Sequence, residues 1–223
     1  MSEAKLEKSP EEIMNDLEKA IFGGWYQFTK RVGGPIWDSA YWEVTGIEHA
    51  VNRSRSYNDP NLIDYLSQWS DIDYKTFKEM WSRLSEEQRA KVINATIHDI
   101  AVFGVSELFE WIAEKLSRKK YREARAKVLQ AAKDYLNGKI DEITLMNKIA
   151  DVLWPPEKYN EKYCDMLDYL CDVALMCDEK ELKKCDEYDT FRVATKLVAK
   201  YLSSDYVRTL VEMHLVDRLE ELE

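Results

Sequence analysis

The chain has 223 residues, 45% of them hydrophobic and 33% charged, with a net charge of −10. That length and composition bury a sizeable core and exclude an intrinsically disordered polymer. Only 7 Gly and 5 Pro argue against a turn-rich all-β design, no apolar run approaches a membrane span of ~20 residues, and the charged start MSEAKLEKSPEE has no apolar signal-peptide core.

Helix signals recur along the chain. Ser9 as N-cap, Pro10 at the first helical position and Glu12 three residues after the cap form a capping box. Gly23 and Gly24 are expected to end that helix. Residues 23–42, rich in Gly pairs, Trp and Tyr, read as an inter-helix loop pinned to the core by its aromatics, with an aromatic ligand-contacting loop as the alternative. Ile36, Trp37, Ala40, Tyr41, Val44, Ile47 and Val51 then recur every three or four residues, one face of a helix.

Asp59 caps the next helix, with Pro60 behind it, and Ser85 opens another that runs to Gly104. From Ser106 to Asn137 the pattern stays helical until Gly138. Further helices are expected over 141–153, 156–177, about 187–202 and 204–222. The expected fold is an all-α bundle of about nine helices with short connections, no significant sheet, and a single domain over 1–223. Residues 64–88 and 134–158 share six of 25 positions without gaps, a weak sign of internal duplication.

All four cysteines, Cys164, Cys171, Cys177 and Cys185, fall within 22 residues. Cys164 and Cys171 lie ~10 Å apart along one helix face, too far to bridge each other. Three readings stay open: buried thiols acting as small apolar residues, one or two disulfides, or a metal site. Among bridges, Cys177 or Cys171 with Cys185 is preferred. The absence of any C-x-x-C pair weighs against metal. High charge with only four Gln suggests a thermophilic source, where cytosolic disulfides do occur.

His98 and Asp99 sit in VINATIHDIAVFG, a stretch apolar nearly all round and therefore expected to be central, with both polar groups needing partners. A His–Asp dipeptide in a central helix resembles the HD-type metal phosphohydrolases, an all-helical family. The resemblance implies metal binding by the dipeptide, by an upstream histidine, here His49, and by a later aspartate, here Asp134 or Asp168. The continuation HDIA departs from that family's usual one. Arg208 and His214, in RTLVEMH, resemble the catalytic motif of HEPN-type ribonucleases, again all-helical, with Thr209 a loose match for the polar residue after the arginine. No P-loop, G-x-G-x-x-G, G-x-S-x-G or H-E-x-x-H is present, so no cofactor is expected.

The segment 115–133 holds eight Lys or Arg against Glu123 alone, a local charge of +7 that leaves −17 for the rest. Lys115, Arg118, Arg122 and Arg125 fall at helical spacing as a basic stripe. Such a stripe binds phosphates, or it is neutralised by acids from 134–191 or from a second copy of the chain. The leading expectation is a cytoplasmic, non-enzymatic interaction protein, a regulator or accessory subunit with a protein partner and no membrane association. A nucleic-acid-associated factor using 115–133 is the second reading. A helical phosphohydrolase or ribonuclease is the third.

Overall fold

The computed structural model describes residues 8–155, 164, 166 and 179–222. Every regular element among them is helical, as expected. In chain order these are α1 (Pro10–Val32), α2 (Ile36–Arg53), α3 (Pro60–Ser67), α4 (Tyr74–Ser82), α5 (Glu86–Ser117), α6 (Arg122–Leu136), α7 (Glu142–Leu153), α8 (Glu179–Tyr201), α9 (Ser204–Val211) and α10 (Asp217–Glu220). A 3-10 turn, Lys119–Tyr121, precedes α6, and a π-helical turn, Glu212–Val216, joins α9 to α10. The chain divides into two compact units, Met1–Ala101 and Val102–Glu223, and α5 contributes residues to both. Most of the helix expected over 156–177 lies outside the described residues; Cys164 and Met166 within it are helical.

In the first unit, α1 opens as its sequence requires. The Glu12 amide donates to Ser9 Oγ, and the Ser9 amide donates to Glu12 Oε2 at 2.7 Å. Gly23 and Gly24 do not end the helix. It continues eight residues past Gly24, to Val32, and closes at Gly33 with φ +82°. The role of Gly24 is close approach: a Cβ there would stand 1.3 Å from the Trp69 carbonyl oxygen. The expected aromatic loop therefore shrinks to residues 33–35, and Trp25 and Trp37 join the core. Trp25 Nε1 donates to Ser39 Oγ at 3.0 Å, and the Ser39 and Thr29 hydroxyls meet at 2.7 Å, tying α1 to α2.

The predicted apolar face of α2 buries Trp37, Ala40, Val44 and Ile47. Gly46 leaves room on that helix for the Tyr65 ring of α3, whose hydroxyl would lie 1.9 Å from an added Cβ. Asp59 caps α3 through the Asn61 amide, and Trp81 of α4 donates from Nε1 to the Tyr57 carbonyl at 2.8 Å.

A reciprocal Ser85–Gln88 pair caps the start of α5. The helix then runs unbroken through Gly104 for 32 residues, where two helices were expected. By length and mean hydropathy it is long and apolar enough to cross a bilayer, contrary to the expectation from composition. Its Val92, Ile93 and Ile100 are core residues of the first unit, and Val105, Leu108, Phe109, Ile112 and Leu116 of the second. A central core helix meets the same test.

The second unit packs α6 against α7, α7 against α8, and the α9–α10 segment against α6. Trp154, just after α7, stacks on Trp111 at 6.3 Å and meets Phe191 of α8 at 5.2 Å. Tyr135 donates to the Ser204 carbonyl at 3.2 Å. Gly138, at φ +72°, ends the turn after α6 as expected. In the C-terminal segment Val207, Val211, Leu215 and Leu219 are buried, one every four residues. A repeat of four drifts ~40° per step on an α-helix; the π turn takes in an extra residue and keeps the four on one face.

The two segments that suggested duplication each hold a short helix capped by Asp, with Asp73 accepting from the Thr76 amide and Asp141 from the Thr144 amide. In the gap-free alignment Asp141 falls opposite Asp71, so the caps match only with a two-residue shift.

Candidate functional site

The basic segment is not one helix. α5 ends at Ser117, Arg118 is extended with ψ 136°, and α6 starts at Arg122. From Ser117 to Glu123 the only large apolar side chain is Tyr121, so nothing holds a helix there to the core. Arg118 and Arg122, one turn apart, would also repel each other on a continuous helix. After the corner, Val128, Leu129, Ala132 and Tyr135 are buried again.

This break sorts seven of the eight cations into two groups; the eighth, Lys127, is exposed on α6. Lys115 pairs with Glu187 of α8, its ammonium 4.6 Å from the Trp111 ring and 5.4 Å from the Trp154 ring, with 16% of its side chain exposed. Arg125 donates to the Leu116 carbonyl at 3.3 Å and closes the C-terminus of α5. Lys133 pairs with Glu220 at 2.6 Å. These three serve the fold, and Glu187 comes from the acidic region that sequence offered as the neutralising partner. Arg118, Lys119, Lys120 and Arg122 are different. All four are exposed at the corner, and their side chains make no ion pair or hydrogen bond among the described residues. Lys120 only leans on the Tyr121 ring at 4.8 Å. The stripe expected from Lys115 to Arg125 thus loses both ends and keeps Arg118 and Arg122, joined by Lys119 and Lys120.

His98 and Asp99 are not enclosed. The His98 side chain is 33% exposed and Asp99 49%, on the outer side of α5; the buried polar residue nearby is Thr96, bonded to the Val92 carbonyl at 2.8 Å. His98 Nδ1 lies 3.4 Å from Asp99 Oδ1. Asp99 also bonds Glu18 of α1, where burial first, and then that bond and the neighbouring charge, push the Glu18 carboxyl up to about 7. His49 is exposed on α2. Asp134, in the second unit, bonds Gln130 and Lys139, while Asp168 lies outside the described residues. Among the described residues no group of three His, Cys, Asp or Glu is placed to hold a metal ion.

Arg208 donates to the Leu136 carbonyl, closing the end of α6, and His214 Nδ1 lies 2.9 Å from Glu110 Oε1 of α5. Each half of the ribonuclease-like pair therefore contacts a different helix of its own unit.

Sequence reasoning passed over Glu43. Its 8% exposure places it inside the apolar face of α2, and burial raises its carboxyl to about 7. Tyr65 is raised to about 12, by its own burial and then by Glu43. The signal was present, since residue 43 falls between Ala40, Val44 and Ile47.

Cys164 and Cys185 are both buried and lie at disulfide distance, with Cα atoms 5.3 Å apart. The preferred partners for Cys185, Cys171 and Cys177, lie outside the described residues. The pair spans a sequence separation of 21.

No protein-family model, curated protein or solved structure matches the chain.

Proposed function

We propose that this chain is a helical interaction protein, a regulator or accessory subunit, that docks on an anionic macromolecule through the α5–α6 corner. The observation that carries this reading is the sorting of cations in the second unit. Lys115, Arg125 and Lys133 have partners within the fold, whereas Arg118, Lys119, Lys120 and Arg122 stand together in solvent with no ion pair or hydrogen bond among the described residues. Four like charges left adjacent at a corner repel one another and add no stability to the fold. Their use lies in an external partner. Arg208 and His214 are occupied by helix-to-helix contacts, which favours this reading over the ribonuclease-like one.

The test is retention on immobilised heparin, a generic polyanion, at ~20 mM salt, where the Debye length exceeds 10 Å. Wild-type protein is expected to bind and to elute as salt rises, and the Arg118→Glu/Arg122→Glu variant to flow through. Flow-through of folded wild-type protein overturns the reading.

A further inference from the structure

We infer that the macromolecule docking at this corner is a nucleic-acid duplex, held by its phosphate backbone without base readout; this rests on the docking reading above. Three observations choose among anionic partners.

The first is the absence of an apolar anchor. Protein–protein interfaces centre on buried aromatic or aliphatic side chains. The large exposed apolar side chains of the described chain sit elsewhere, at Trp42, Tyr74, Tyr206 and Met213 among others, and none falls within 115–133. An anionic membrane surface likewise calls for an apolar face that enters the bilayer, and this corner offers none. A purely cationic patch matches a phosphate backbone, whose interfaces are polar and strongly positive.

The second is Tyr121. Single-strand binders stack bases on open aromatic rings. Here the ring is half-buried, and the Lys120 ammonium sits 4.8 Å from its centroid. Base stacking has no platform, which leaves the backbone as the contact.

The third is span. The four cations occupy five consecutive residues, an extended Arg118, the 3-10 turn Lys119–Tyr121 and the first residue of α6, a stretch on the order of 10 Å at most. That reach touches neighbouring phosphates of one strand, and duplex charge density supplies others close by. The chain's overall charge of −10 opposes approach by the rest of the surface. Binding is therefore confined to the corner, modest in strength and steep in salt dependence.

The experiment measures fluorescence anisotropy of a labelled 20-base-pair DNA duplex with the full chain, from 20 to 200 mM salt. Parallel arms use the same strand unpaired, polyglutamate, and vesicles of an anionic phospholipid. With about four phosphates neutralised, affinity for the duplex is expected to fall roughly 100-fold between 50 and 200 mM salt and to be indifferent to sequence. Arg118→Glu/Arg122→Glu should weaken binding at least tenfold and reduce the salt slope by about half. The charge-matched Lys75→Glu/Lys78→Glu variant, on α4, should bind as wild type. An unchanged thermal unfolding curve for each variant separates lost contact from lost fold. Heparin retention without duplex binding overturns the inference and leaves the docking reading standing, with polyglutamate or vesicle binding naming the replacement. Tighter binding to the unpaired strand, or equal loss in both double variants, overturns the inference too. Failure on heparin overturns both.

Discussion

Residues 1–101 carry 12 Lys and Arg against 17 Asp and Glu, and residues 102–223 carry 20 against 25, so each unit has a net charge of −5. They handle buried charge in opposite ways. In the first unit, Glu43 enters an apolar helix face and burial raises its carboxyl to about 7, while Glu18 is raised to about 7 by burial and by Asp99. These carboxyls lose water and respond by holding protons. In the second unit the enclosed charge is Lys115, met by the Glu187 carboxylate and two indole rings. One unit accommodates buried charge by protonation, the other by pairing. The lesson is that a low-dielectric interior accepts an ionisable group along either route, and that only the first ties stability to pH near neutrality.

The strongest perturbation of the first unit should be steric and independent of pH. Gly24→Ala places a methyl carbon into the Trp69 carbonyl, so the backbone must move. A loss of about 4 kcal/mol or more is expected, among the largest that point mutations cause. Denaturant unfolding at pH 5 and pH 8 should show the same loss at both.

The second unit has a covalent counterpart. Cys185→Ser removes the pairing with Cys164, which closes a loop of 21 residues. The loop-entropy relation gives about 3 kcal/mol for that loop, more than for the shorter loop a bridge from Cys171 or Cys177 would close. Non-reducing mass analysis of the wild type should show at least two hydrogens missing. A Cys185→Ser protein as stable as wild type would mean that the two sulfurs stay reduced.

Glu43→Gln tests the protonation route directly. The folded carboxyl sits at about 7 and its ordinary value is 4.5. The native state therefore binds the proton more tightly than the unfolded chain. Stability from this group is complete below pH 4.5 and is lost as pH rises to about 7. Glutamine imitates the neutral form at every pH. The variant should match wild type at pH 4 and exceed it by up to about 3 kcal/mol at pH 8. A difference that does not vary with pH would break the contrast between the units. The smallest effect belongs to the corner, where Arg118→Glu/Arg122→Glu should change stability by no more than about 0.5 kcal/mol, as at ordinary surface positions.

Local chemistry was legible in the sequence. The caps at Ser9, Asp59 and Ser85 rest on residues two or three positions away, and each forms as read. What was misread depended on distant partners. Gly24 reads as a helix end until Trp69 is seen beside it, and the partner of Lys115 is 72 residues on. The corner lies between these cases. Its charge was plain, and the gap in apolar residues from Ser117 to Glu123 marked the break, but helical spacing alone carried the stripe straight through it. His98 and Asp99 looked enclosed because their neighbours are apolar; the helix nevertheless keeps a solvent side.

The π turn at Glu212–Val216 has a consequence for insertions and deletions. Removing a residue from an ordinary helix turns everything beyond it by ~100° and exchanges core for solvent. This segment already holds a surplus residue. Were Met213, 55% exposed, to be lost, plain α geometry would carry Leu215 and Leu219 back to the same face as Val207 and Val211. The same deletion at Thr209, before the turn, draws on the same surplus only if the turn itself unwinds. The C-terminal helix thus tolerates a change in chain length at one place, and homologues one residue shorter are to be sought with the gap at that turn.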